Sequence, residues 1–71
     1  MKYLVIIDKG VLSYGAYVPD LPGRIAAAES EPEIRQLIKE AIRLHISGLR
    51  EDGLPVPPAS SSSGFVEVSV A

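Results

Sequence analysis

One imidazole, a run of serines and three carboxylates, two at strand ends and one in a loop, are the groups through which this chain could do chemistry. His45, Asp52 and the serines at positions 60–63 could be written as a hydrolytic triad. Nucleophilic serine chemistry needs a strained turn to present the hydroxyl, and no Gly-x-Ser-x-Gly elbow occurs. His45 also falls among Ile34, Leu37, Ile38, Ala41, Gly48 and Leu49 at 100° per residue. On an apolar helix stripe, a lone histidine reads as a packed, hydrogen-bonded residue. Asp8, Asp20 and Glu29 could serve a metal-dependent nuclease only if they converged on a divalent ion. Their spacing forces no such convergence. With neither a glycine-rich phosphate loop nor a Cys/His cluster, the sequence predicts no catalytic residue, no metal site and no cofactor.

The elements that would position these groups can be read in order. Lys2 to Asp8 is rich in β-branched and aromatic residues and predicts a strand. Lys9-Gly10 signals a turn, and Val11 to Val18 predicts a second strand, in which Gly15 flags a bulge or a close backbone approach. Pro19-Asp20-Leu21-Pro22-Gly23 reads as a compact loop, followed by a short third strand over Arg24 to Glu29. Ser30-Glu31-Pro32-Glu33 matches a capping box, with proline in the first turn where its missing N–H costs nothing. The helix is predicted from about Glu31 to Asp52, closed by Gly53 at C′ and by Pro55. Residues 54–64 form a Pro/Ser-rich connector inside a single domain spanning 1–71. Phe65 to Val70 alternates as a final strand, with Val66, Val68 and Val70 on one side.

The expected fold is therefore α+β: a three-stranded antiparallel meander, one helix on one sheet face, then a last strand (β-β-β-α-β). Both sides of the first strand are apolar, with Tyr3, Val5 and Ile7 facing one way and Leu4 and Ile6 the other. A sheet with one solvated face should alternate apolar and polar residues instead. One helix covers one face, so the second needs a cover from another chain or from the connector.

Size and composition point the same way. A 71-residue chain buries only about 60% of the surface its unfolded form exposes. The absence of Cys rules out disulfides and thiolate metal sites, which leaves association as the remedy for a marginal core. The net charge of −2 is not that of a nucleic-acid binder, which carries a basic patch. No apolar run reaches the ~20 residues of a membrane span, and the N-terminus lacks a signal-peptide pattern. A cytoplasmic location is expected.

Two stretches carry a family resemblance. Tyr14-Gly-Ala-Tyr-Val-Pro-Asp-Leu-Pro-Gly23 resembles the Y-x-A-x-V-P-D-L-P-G signature of HicB-like antitoxins. Glu40 to Pro58 is similar to their helix end and proline-rich exit. The resemblance implies a partial ribonuclease-H-like fold and binding to a HicA-type toxin, an mRNA interferase whose active face the antitoxin masks. It implies dimers or larger assemblies, no enzymatic activity and no inherited nuclease function. Because the sequence stops at Ala71, directly after the last strand, direct DNA binding is not expected. Tyr14, Tyr17, Asp20 and Leu21, in or beside the motif, are the candidate partner-binding residues. An orphan homo-oligomeric scaffold with no cognate toxin is the other reading.

Overall fold

Three antiparallel strands precede one long helix in the computed structural model, which describes residues 2–21 and 25–70. β1 (Ile6–Lys9), β2 (Tyr14–Tyr17) and β3 (Ile25–Ala28) form a sheet in the order β1-β2-β3, and α1 spans Glu31–Glu51. The first two strands are shorter than the sequence predicts. Register explains the loss: Ile6 pairs with Tyr17 and Lys9 with Tyr14, which centres the hairpin between Val11 and Leu12. Those two residues therefore sit in the turn, 99% and 89% exposed, rather than in β2. The Gly10 N–H donates to the Ser13 carbonyl at 2.7 Å, and a Cβ on Gly10 would approach that oxygen to 3.1 Å. Glycine permits this tight closure.

The expected bulge at Gly15 does not form. Gly15 pairs in unbroken register with Asp8 on one side and Ala27 on the other, and an added Cβ would meet only an ordinary contact at 3.9 Å. In the next loop, Leu21 N donates to the Val18 carbonyl at 3.1 Å, making a four-residue turn with Pro19 at its second position. Proline is favoured there because its fixed φ matches the turn. Both ends of this turn are buried, Val18 at 2% and Leu21 at 0% exposure. The predicted Pro22, Gly23 and Arg24 lie outside the described residues.

Both helix ends follow the sequence chemistry. The Ser30 hydroxyl accepts from the Glu33 N–H at 3.3 Å, while Glu33 Oε1 reaches back to the Glu29 N–H, one residue before the cap. At the other end Gly53 has φ +68°, its N–H donates to Arg50, and the Leu54 N–H donates to Leu49. These two bonds make a Schellman motif, which a left-handed glycine at C′ favours. Asp52 is the cap residue, so the helix ends one residue before the predicted limit.

Ile34 and Ile38 of α1 form one buried cluster with Ala16, Val18, Leu21 and Ala28, and Ile7, Tyr14, Ala26 and Ile42 pack around it. The near neighbours of the helix in the sheet are β3 and β2. At 1.5 Å per residue a 21-residue helix is about 31 Å long, whereas a four-residue strand spans about 13 Å. Its second half therefore overhangs the sheet, leaving Leu44 69% exposed.

Residues 54–70 contain no helix or strand. The predicted last strand is absent from the single chain: Phe65, Val66, Val68 and Val70 are largely or wholly exposed. An isolated apolar strand has nothing to pair with unless a sheet edge is offered to it. The radius of gyration, 14.6 Å, exceeds the ~11 Å of a compact chain of this length, and the longest dimension is 53 Å.

Candidate functional site

In antiparallel pairing, residues directly opposite share a face. The register therefore sorts the sheet into two surfaces. Ile7, Ala16 and Ala26 form one cross-strand row, Lys9, Tyr14 and Ala28 the next, on the face that meets the core cluster. Ile6, Tyr17 and Ile25 form a row on the opposite face. None of these three belongs to the core cluster, and Tyr17 and Ile25 are 44% and 77% exposed. Beside this row lie Asp8, Gly15 and Ala27, so the middle of the outer face carries no bulky side chain. An exposed aromatic-aliphatic row on a flat sheet can dock an apolar patch of a second protein.

The connector leaves Tyr17 and Ile25 of this row exposed. It is fixed at two points near one end of the sheet. The Tyr3 hydroxyl donates to the Pro57 carbonyl. Asp20 accepts from Ser60 N at 3.0 Å and Ser61 N at 2.9 Å, and from their hydroxyls at 3.2 and 2.7 Å. A carboxylate taking several donors favours its charged form. The Ser61 hydroxyl above all, with the Ser61 and Ser60 N–H groups, holds the Asp20 carboxyl below the usual range against a desolvation that raises it. Asp20 thus acts as a clamp that fixes the second half of the connector.

The four residues singled out from the motif therefore occupy different places. Tyr17 stands on the open outer face. Tyr14 lies on the opposite face, half-buried against the core. Leu21 is entirely within the core. Asp20 spends its oxygens on Ser60 and Ser61. The motif does not gather them into one patch. Ile25 is the residue that sequence reasoning missed, and its signal lay in the alternation of β3, where it sits opposite Tyr17. The serine partners of Asp20 left no spacing signal, being 40 and 41 residues away.

Of the groups considered first, His45 and Asp52 come to one place and Ser60 and Ser61 to another. His45 lines a shallow depression with Leu44, Gly48, Leu49 and Asp52 on the helix overhang. Ser60 and Ser61 are bonded to Asp20 instead. Among the described residues, no three His, Cys, Asp or Glu side chains come together as a metal site, and no helix is long and apolar enough to cross a membrane. A second apolar feature is a groove of about 290 Å³ between the first strand and the helix, walled by Tyr3, Val5, Ile7, Ile38 and Ile42.

Comparison with known proteins bears on this geometry. The model of a family described as "HicB_like antitoxin of bacterial toxin-antitoxin system" matches residues 3–68. An uncharacterized 14.9 kDa protein from the rep-hol intergenic region of Haemophilus phage HP1 is 33% identical over 66 residues, which cover 93% of this chain. The match covers 50% of that relative, so the chain spans half its length. Any expectation about DNA binding that rests on where the sequence stops therefore does not carry over. No solved structure matches the chain.

Proposed function

This chain belongs to the HicB-like antitoxin family of bacterial toxin–antitoxin systems, and from that membership we propose that it binds a HicA-type mRNA interferase and masks its active face. The observation that carries the reading is the Ile6–Tyr17–Ile25 row, exposed at Tyr17 and Ile25 and half-buried at Ile6, opposite the face where the core lies. In this reading the helix closes one face of the sheet and the toxin closes the other. Neutralisation is steric, so the antitoxin performs no catalysis of its own and works in the cytoplasm, where mRNA is met. A toxin that grips RNA is basic, and the antitoxin's net charge of −2 complements it. The segment Phe65–Val70 serves as a fourth strand once an edge is available, completing β-β-β-α-β. The chain also self-associates, which is all that remains of its function if no cognate toxin exists.

Co-expression with a HicA-type toxin tests the reading. The antitoxin should co-purify with the toxin and suppress mRNA cleavage. Ile25→Asp should abolish both effects while leaving the fold intact. Full neutralisation by a correctly folded Ile25→Asp variant would remove the outer face from the account.

A further inference from the structure

We propose that Phe65–Val70 is exchanged between two copies of this chain, each copy's segment pairing with the free edge of its partner's β1 and filling the groove between that strand and the helix. The inference rests on the self-association just described and gives it a mechanism.

β1 is an edge strand, since the sheet order is β1-β2-β3. An unpaired edge with an apolar groove beside it is a template for one more strand. Added there, a strand with Val66, Val68 and Val70 on the core side would lay them against Val5, Ile7, Ile38 and Ile42. Phe65 would fall on the other face, in line with Leu4 and Ile6. Glu67 alternates with the valines and would lie beside Phe65 on the outer, solvent-facing side.

The path of the connector selects a second copy over the chain's own groove. Tyr3 lies three residues before β1 and Asp20 three residues after β2, at the same end of the hairpin, Asp20 within the Val18–Leu21 turn. Pro57 is bonded at Tyr3 and Ser60–Ser61 at Asp20, so the connector travels from the end of the first strand towards the second, away from β1's free edge. Returning to that edge would require a reversal within Ser62–Gly64 or loss of the Asp20 clamp. Continuing outward costs neither. The nine residues 62–70 reach about 30 Å when extended, enough to lie along a neighbouring sheet.

The exposed area is that of an interface. The chain presents 5671 Å² to solvent, against about 4,300 Å² for a compact monomer of its mass. The excess is on the order of 1,400 Å² per copy, so about 2,800 Å² for two copies, within the ~2,000–5,000 Å² of total area that obligate homodimers bury. Reciprocal exchange about a two-fold axis uses both grooves and closes the assembly at two copies.

Two measurements on the full chain, without toxin, decide the matter. The chain has no cysteine, so Val5→Cys with Val68→Cys supplies the only thiols for a short bismaleimide. Exchange predicts a covalent dimer on a denaturing gel; a covalently closed monomer or no cross-link overturns it. Sedimentation should show a dimer at micromolar concentration. Val68→Asp should raise its dissociation constant at least 100-fold while the helical circular dichroism is kept. A Val68→Asp variant that remains dimeric overturns the exchange. Toxin binding by a monomeric protein would leave the outer-face reading standing while the exchange fell.

Discussion

Leu21 decides between two roles for the Pro-Asp-Leu-Pro loop. Its place in the motif suggests a partner contact, whereas its side chain is completely buried in the cluster with Val18 and Ile34. Leu→Ala at a site of this kind removes the transfer free energy of the lost methyl groups and leaves a cavity, together about 3–5 kcal/mol. A 71-residue domain is stable by about 4–11 kcal/mol in total. Leu21→Ala should therefore remove about a quarter of the stability or more. For a domain of this size, that corresponds to a fall in Tm of at least about 12 °C. With an m value near 1 kcal/mol/M, the urea midpoint should drop by about 3 M or more. Leu21→Met, which conserves volume, should cost less than about 1.5 kcal/mol. Urea unfolding followed by circular dichroism at 222 nm reads all of these. If Leu21→Ala melts within about 2 °C of the parent yet fails to neutralise the toxin, Leu21 is a contact and its burial is not functional.

Three further outcomes follow from the geometry. Ile25→Asp, on an exposed position, should change stability by no more than about 0.5 kcal/mol while abolishing toxin capture in a pull-down, separating the outer face from the core. Gly53→Ala forces a Cβ into φ +68° and should cost about 1–2 kcal/mol, seen as a lower urea midpoint with an unchanged fold. Asp20 has its carboxyl held low in the folded chain, so the folded state binds fewer protons than the unfolded one. The clamp's contribution is present above the unfolded value of about 3.9 and is lost as pH falls through the depressed folded value. A carboxyl titration by NMR should place the Asp20 midpoint below 3.9, with the Ser60 and Ser61 amide shifts moving together at that midpoint. A midpoint at or above that value would remove the clamp, as would Asp20→Asn with unaltered connector shifts.

The parts of the fold governed by local chemistry were legible in the sequence. Ser30, Pro32 and Gly53 determine where α1 starts and stops, because caps act within one turn of their own position. The order of three strands and a helix followed from apolar runs and turn residues. What local patterns misplaced was the hairpin: Val11 and Leu12 look like strand, but the pairing of Lys9 with Tyr14 puts them in the turn. Register is a property of two segments, and neither reveals it alone. The same limit explains the candidate site. The motif residues are adjacent in sequence, yet alternation sends Tyr14 and Tyr17 to opposite faces, and the turn drives Leu21 inward. Asp20's partners, Ser60 and Ser61, are set by the route of the connector rather than by any local signal.

The apolar two-sidedness of the first strand was legible, and the structure separates its consequences. Its core-side residues Val5 and Ile7 face a groove that the helix does not fill, since α1 lies against β2 and β3. Its outer residue Ile6 joins Tyr17 and Ile25 on the far face. A small domain gains little by leaving two such surfaces in water, each partly buried apolar residue forfeiting some of the about 1.5–3 kcal/mol that full burial provides. The two need different covers because their shapes differ. The groove borders a free strand edge, which suits one extended segment such as Phe65–Val70. The outer face is open and flat at Gly15 and Ala27, which suits a folded partner. An exchanged strand would widen that flat face with Phe65 rather than compete for it, so pairing with a second copy and masking a toxin draw on opposite sides of the same sheet.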